Sequence, residues 1–134
     1  MILPQVTAPA PTISISAADY DLIADLALRM EAADPELGRL ILKEIDRAEV
    51  CDQAVPPHVV AIGSRVTFAD DGNGVQRTVE LVLPGKADIA LDRISVMTLV
   101  GAGLIGMRTG SEIEWPYADG RVRSLKILRV EKAD

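Results

Sequence analysis

Apolar positions recur at helical spacing in the first third of the chain and alternate through most of the rest, and the change of period falls near Pro56-Pro57. Leu22, Ile23, Leu26 and Met30 share one helical face, opposite Asp21, Asp25 and Arg29. Ser16-Ala17-Ala18-Asp19 is a capping-box pattern, in which the Ser16 hydroxyl accepts a free first-turn amide and Asp19 replies at the cap. This helix should stop near Ala32-Ala33. Asp34-Pro35 then starts a second one, with Asp34 as N-cap, Pro35 at N1 where its missing N–H costs nothing, and Glu36 in the first turn. Leu37, Leu40, Ile41, Ile45 and Ala48 form its apolar stripe. Two amphipathic helices with a short joint predict an antiparallel hairpin, a short coiled coil. At about 15 residues per helix, the arm is on the order of 20 to 25 Å long.

Strand patterns follow the proline pair. Val59-Val60-Ala61-Ile62, Arg65-Val66-Thr67-Phe68, and Val75 to Leu83 with Val79, Leu81 and Leu83 alternating all read as strands. Asp70-Asp71-Gly72-Asn73-Gly74 is rich in residues that tolerate positive φ and predicts the turn of a β-hairpin. The segment from Ile94 to Trp115 starts as strand, passes through a short glycine-punctuated helix, and returns to strand at Glu112. Val122 to Val130 is the last strand. The expected fold is α+β, divided into a flexible leader at residues 1–12, a helical hairpin at 13–52, a linker at 53–58, and a small, mostly antiparallel β domain with one short helix at 59–134.

Composition narrows the function. Apolar residues make up 49% of the 134, enough to build a core, but the only aromatics are Tyr20, Phe68, Trp115 and Tyr117. There is no aromatic platform for stacking bases, and a net charge of −6 disfavours a phosphate-binding surface, so no direct, sequence-specific nucleic-acid binding is expected. Residues 1–52 hold ten acidic and four basic side chains, while residues 53–134 hold ten of each, so the whole net charge lies on the N-terminal part. That asymmetry points to a partner with a positive surface. A single cysteine, no signal-peptide pattern and no long apolar run predict a cytoplasmic protein without a membrane segment.

Side chains able to do chemistry are sparse. His58, beside Pro56-Pro57 and without Cys or His at ligand spacing, reads as a linker residue, and Cys51 at a helix end reads as packing. Gly101-Ala102-Gly103-Leu104-Ile105-Gly106 satisfies G-x-G-x-x-G but lacks the βαβ unit a dinucleotide site needs, so its glycines are expected to permit a tight chain crossing. No catalytic residue, cofactor or metal site is expected. Glu31, Asp34 and Glu36 surround the hairpin tip, either as helix-capping charges or as an acidic tip presented to a partner.

Several short motifs resemble a known family. Gly63-Ser64-Arg65-Val66, Leu104-Ile105-Gly106, Gly110 and Ile113 are similar to elements of the C-terminal domain of the bacterial Gre transcript-cleavage factors. Ile45-Asp46-Arg47-Ala48, Ile94-Ser95-Val96-Met97 and Trp115-Pro116 resemble the short nucleoside diphosphate kinase regulator (Rnk) branch of that superfamily. The resemblance implies an FK506-binding-protein-like (FKBP-like) β domain that docks on RNA polymerase near its secondary channel, with the hairpin pointing inward. It implies Ser95, Met97, Thr98 and Leu99 as the docking loop, where Gre proteins carry a Ser-Pro pair in place of Thr98-Leu99. It also implies competition with the longer-armed Gre factors, whose hairpin delivers carboxylates to the catalytic magnesium.

The expected function is therefore a non-catalytic, polymerase-binding regulator of transcription elongation. An alternative is a partner or regulator of nucleoside diphosphate kinase that does not touch polymerase. A third reading, peptidyl-prolyl isomerase, needs an aromatic-lined proline pocket that four scattered aromatics do not supply.

Overall fold

The computed structural model describes residues 3–6, 9–70 and 75–132. A short strand β1 (Ser14–Ser16) leads into helix α1 (Ala17–Met30), and helix α2 (Pro35–Asp46) returns to strand β2 (Glu49–Cys51). β1 and β2 pair in parallel, Ser14 opposite Glu49 and Ser16 opposite Cys51, so the start of α1 and the end of α2 lie side by side and the helices are antiparallel. Both N-caps form where the sequence puts them, the Asp19 amide donating to Ser16 Oγ and the Leu37 amide to Asp34 Oδ1, but Asp19 does not reply to the Ser16 amide, because its carboxylate accepts the Ile62 amide instead. At 1.5 Å per residue the helices are about 21 and 18 Å long. α2 ends at Asp46, short of Ala48, because the chain turns there into β2, a strand the pattern did not announce.

The larger sheet has the order β5-β4-β3-β7-β6, made of β3 (Ser64–Asp70), β4 (Gln76–Val82), β5 (Arg93–Ser95), β6 (Glu112–Pro116) and β7 (Val122–Lys132). Its pairings are antiparallel except β4 with β5. β3 and β4 form the expected hairpin, while residues 71–74 of its expected turn lie outside the described residues. The register of β3 against β7 shifts between Thr67 and Phe68, a bulge that adds twist and curls the sheet. Helix α3 (Leu99–Leu104) crosses between β5 and β6.

Val59-Val60-Ala61-Ile62 is not a strand of this sheet. Val59 makes a single bridge to Arg108, the Val60 amide donates to the Met107 carbonyl, and the chain then turns at Ala61–Ser64 through Gly63, whose φ is +95°. Both valines are buried, so their apolar run reports burial and not a ladder. Leu22 departs from expectation too: it is 47% exposed, and Ile23 and Ala27 face inward. One face of the sheet buries Val66, Phe68, Val79, Leu81, Ile113, Trp115, Leu125 and Ile127 in a core continuous with Ile13, Ile15, Ile23, Ala27, Ile41 and Ile45. The hairpin is thus packed on the β domain and shares its interior.

Two described residues of the leader are bonded to α2 and its C-cap. The Leu3 amide donates to Glu36 Oε2 at 2.7 Å, and the Arg47 guanidinium donates to the Pro11 carbonyl.

Candidate functional site

The three tip carboxylates are in different states. Glu31 is exposed at the end of α1, and its carboxylate makes no hydrogen bond or ion pair among the described residues. Asp34 is exposed but committed to the α2 cap. Glu36 is half-buried and holds the Leu3 amide. The tip therefore offers one free carboxylate and two engaged ones.

Residues 95–99 divide by depth. Ser95 and Met97 are 6% and 5% exposed. Ser95 Oγ accepts the Met97 amide, and the Ser95 carbonyl accepts both the amide and the hydroxyl of Thr98. Thr98 Oγ1 in turn accepts the Gly101 amide and caps α3. The surface of the loop is thus Thr98 and the half-buried Leu99, with Ser95 and Met97 fixing it from below. Trp115 adds a second brace by donating its indole N–H to the Leu99 carbonyl at 2.7 Å.

Two candidate sets read separately from the sequence meet in space. A groove of about 430 Å³ is lined by Ala33, Asp34, Pro35, Glu36 and Leu37 on one wall and by Leu99 and Ala118 on the other, with Leu3 between them. A second groove shares Leu3 and runs between α2 and β6, past Leu40, Arg47, Ile113 and Trp115. Ala118 and Leu3 carry no local signal as site residues, since each acquires its place only through tertiary packing.

The wall carrying Ala118 is rigid. Arg123 donates to Asp119 at 2.6 Å and to Asp70 at 3.3 Å, and its guanidinium lies 4.9 Å above the Tyr117 ring. The Arg123 hydrogen bond holds the Asp119 carboxyl below its usual range. Burial, reinforced by the Asp70 charge, pushes the Tyr117 hydroxyl well above its usual range, so it stays neutral. A clamped turn with no titration near neutrality suits a docking wall better than a catalytic one.

The glycine-rich segment also proves structural. A Cβ on Gly101 would come within 2.1 Å of the Ser95 carbonyl oxygen, and one on Gly103 within 2.9 Å of the Trp115 ring. At Gly106, with φ +78°, an added Cβ would lie 2.9 Å from Ile13 Cβ, and the Gly106 carbonyl accepts the Ser14 amide, which joins the β domain to β1. Cys51 is half-buried in β2 and His58 is exposed in the linker, and neither lines the groove. Among the described residues no group of three His, Cys, Asp or Glu is placed to hold a metal, and no helix is long and apolar enough to cross a membrane. Phe68 and Trp115 are buried in the core, and the groove between the tip and Leu99 has no aromatic lining.

Comparison with known proteins gives a consistent answer. The family described as "Transcription elongation factor, GreA/GreB, C-term" matches residues 55–132. The chain is 35% identical over 122 residues to the regulator of nucleoside diphosphate kinase from Escherichia coli (strain K12), covering 90% of each chain. It is 34% identical over 91 residues to the transcription elongation factor GreA from Azorhizobium caulinodans, covering 67% of this chain and 57% of that protein. Among solved structures, a prokaryotic transcription elongation factor GreA/GreB from Nitrosomonas europaea superposes with a TM-score of 0.69 at 32% identity, over 89% of this chain and 98% of that one.

Proposed function

The chain belongs to the GreA/GreB C-terminal family, and on that premise we propose that it is a non-catalytic regulator of transcription elongation that binds RNA polymerase near the secondary channel, in competition with Gre factors. The observation that carries this reading is the convergence of the acidic hairpin tip and the Thr98-Leu99 loop on one rigid groove, although 62 positions separate Leu37 from Leu99. A partner that touched only the sheet would not need the two to meet. The resemblance extends the reading to a short coiled coil for α1 and α2 and to an FKBP-like description of the sheet. An arm of about 18 to 21 Å with one free tip carboxylate supports regulation without transcript cleavage.

The test is binding of the labelled chain to core RNA polymerase with GreA as competitor. GreA should displace the chain, and backtracked complexes should show no added cleavage. Stable co-occupancy of one polymerase by both proteins would overturn the shared site, and cleavage that depends on Glu31, Asp34 and Glu36 would overturn the non-catalytic role.

A second reading has its own support, because the E. coli relative that matches over 90% of both chains bears the name of a nucleoside diphosphate kinase regulator. In this reading the kinase is the partner, bound directly or affected at the level of its expression. Retention of the kinase, and not polymerase, on an affinity column of this chain would favour it.

A further inference from the structure

The leader forms one side of the groove described above and of its neighbour. Of the described leader residues, Leu3, Pro4, Val6 and Pro11 are half-buried, an unusual degree of packing for a proline-rich terminus. Leu3 lines the groove with the tip residues and Leu99, and its amide donates to one oxygen of the Glu36 carboxylate. Leu3, Pro4, Gln5, Val6 and Ala10 continue into the neighbouring groove beside Trp115, and Arg47 ties the Pro11 carbonyl to α2. Pro4 and Pro11 bring no amides of their own to satisfy, and the described leader residues share the second groove with Ile113 to Pro116 of the edge strand β6. Two anchors of this kind, a backbone amide on a carboxylate and a guanidinium on a backbone carbonyl, hold a strap without welding it.

We propose that the described leader residues, 3–6 and 9–11, belong to a displaceable strap that closes one side of the partner-binding groove in the free protein, so that the leader and the partner exclude one another. The inference deepens the polymerase reading and rests on it for the identity of the partner. The strap occupies the tip carboxylate Glu36 and the flank of Leu99, the two sets that would have to face polymerase. Binding then carries the cost of opening, and the apparent affinity falls by the fraction of molecules in which the groove is open.

Trp115 supplies a readout that needs no partner. It is the only tryptophan, it is 2% exposed, and it lines the groove beneath the strap. Leu3→Asp places a charge against Asp34 and Glu36 and removes the apolar anchor, and Val6→Gly removes a half-buried apolar contact in the second groove. Both positions lie outside the buried core, so neither substitution threatens the fold. In the full-length chain each should raise acrylamide quenching of Trp115 by about twofold and tighten polymerase binding by roughly five- to tenfold. Unchanged quenching in both variants overturns the strap. Raised quenching with unchanged polymerase affinity overturns the exclusion. Raised quenching with no polymerase binding by any form supports the strap as a cover and overturns the polymerase reading instead.

Discussion

The Ser95 carbonyl oxygen accepts two hydrogen bonds, from the amide and the hydroxyl of Thr98, and Gly101 is the residue that lets α3 approach it. A methyl group at Gly101 would meet that oxygen at 2.1 Å, inside any van der Waals contact, and the neighbour is backbone, which cannot rotate away. Gly101→Ala should therefore lower stability by about 1 to 3 kcal/mol, the cost of an overpacked buried site, although alanine is the better helix former. Urea denaturation measures it, and an unshifted midpoint would mean that α3 slides outward at little cost. Gly85 makes a control, because a Cβ there meets nothing within 4 Å and its φ is not positive. The motif that imitates a dinucleotide fingerprint is in this way accounted for by contacts, each glycine answering to a different neighbour.

At the scale of elements, Asp19 couples a helix start to the β domain. Its backbone amide closes the α1 cap on Ser16, and its carboxylate accepts the Ile62 amide at 3.3 Å. Burial holds the carboxyl above its ordinary value of 3.8, outweighing the opposing pull of the Ile62 amide and the Ser16 hydroxyl. A carboxyl raised on folding gives stability that is full below the unfolded pKa and is lost as pH rises through the folded one. Asp19→Asn keeps an acceptor for Ile62 without a charge to bury. Its melting temperature relative to the unmodified chain should therefore rise between about pH 3 and about pH 7, and a constant difference across that range would contradict the assignment. Such caps were legible in the sequence because they are local: Ser16, Asp34 and Pro35 act within one turn of the residues that reveal them. The sheet strands were legible from alternation, and the family resemblance supplied the identity of the segment from Ile94 to Trp115. The partner of Val59-Val60 was not legible, because a bridge to Arg108 and a sheet ladder leave the same apolar run. Nor was β2, a three-residue strand whose pairing depends on where the hairpin returns. The meeting of Glu36 with Leu3 and of Leu37 with Leu99 depends on how α2 lies on α3, which no local pattern encodes.

For the whole molecule, the decisive fact is that the hairpin and the β domain have one interior. Ile41 on α2 and Leu125 on β7 are 1% and 0% exposed and belong to the same core. Gly106 carries the seam, because its carbonyl accepts the Ser14 amide and its own amide donates to Val60. The acidic N-terminal third is consequently held at a fixed orientation to the sheet, and its charge is presented to a partner as a surface and not as a swinging arm. This arrangement predicts a single unfolding transition. Ile41→Ala and Leu125→Ala should each cost about 2 to 5 kcal/mol, and each should move the same transition. Far-ultraviolet circular dichroism reports both helices and sheet, while Trp115 fluorescence reports the β domain at the base of α2, so coincident curves from the two probes are the test. If Ile41→Ala melted the helices while Trp115 stayed buried, the hairpin would be an independent unit docked on the sheet. The groove between tip and loop would then open and close with that docking, and a rigid two-walled surface could no longer explain how the tip and Leu99 act on one partner.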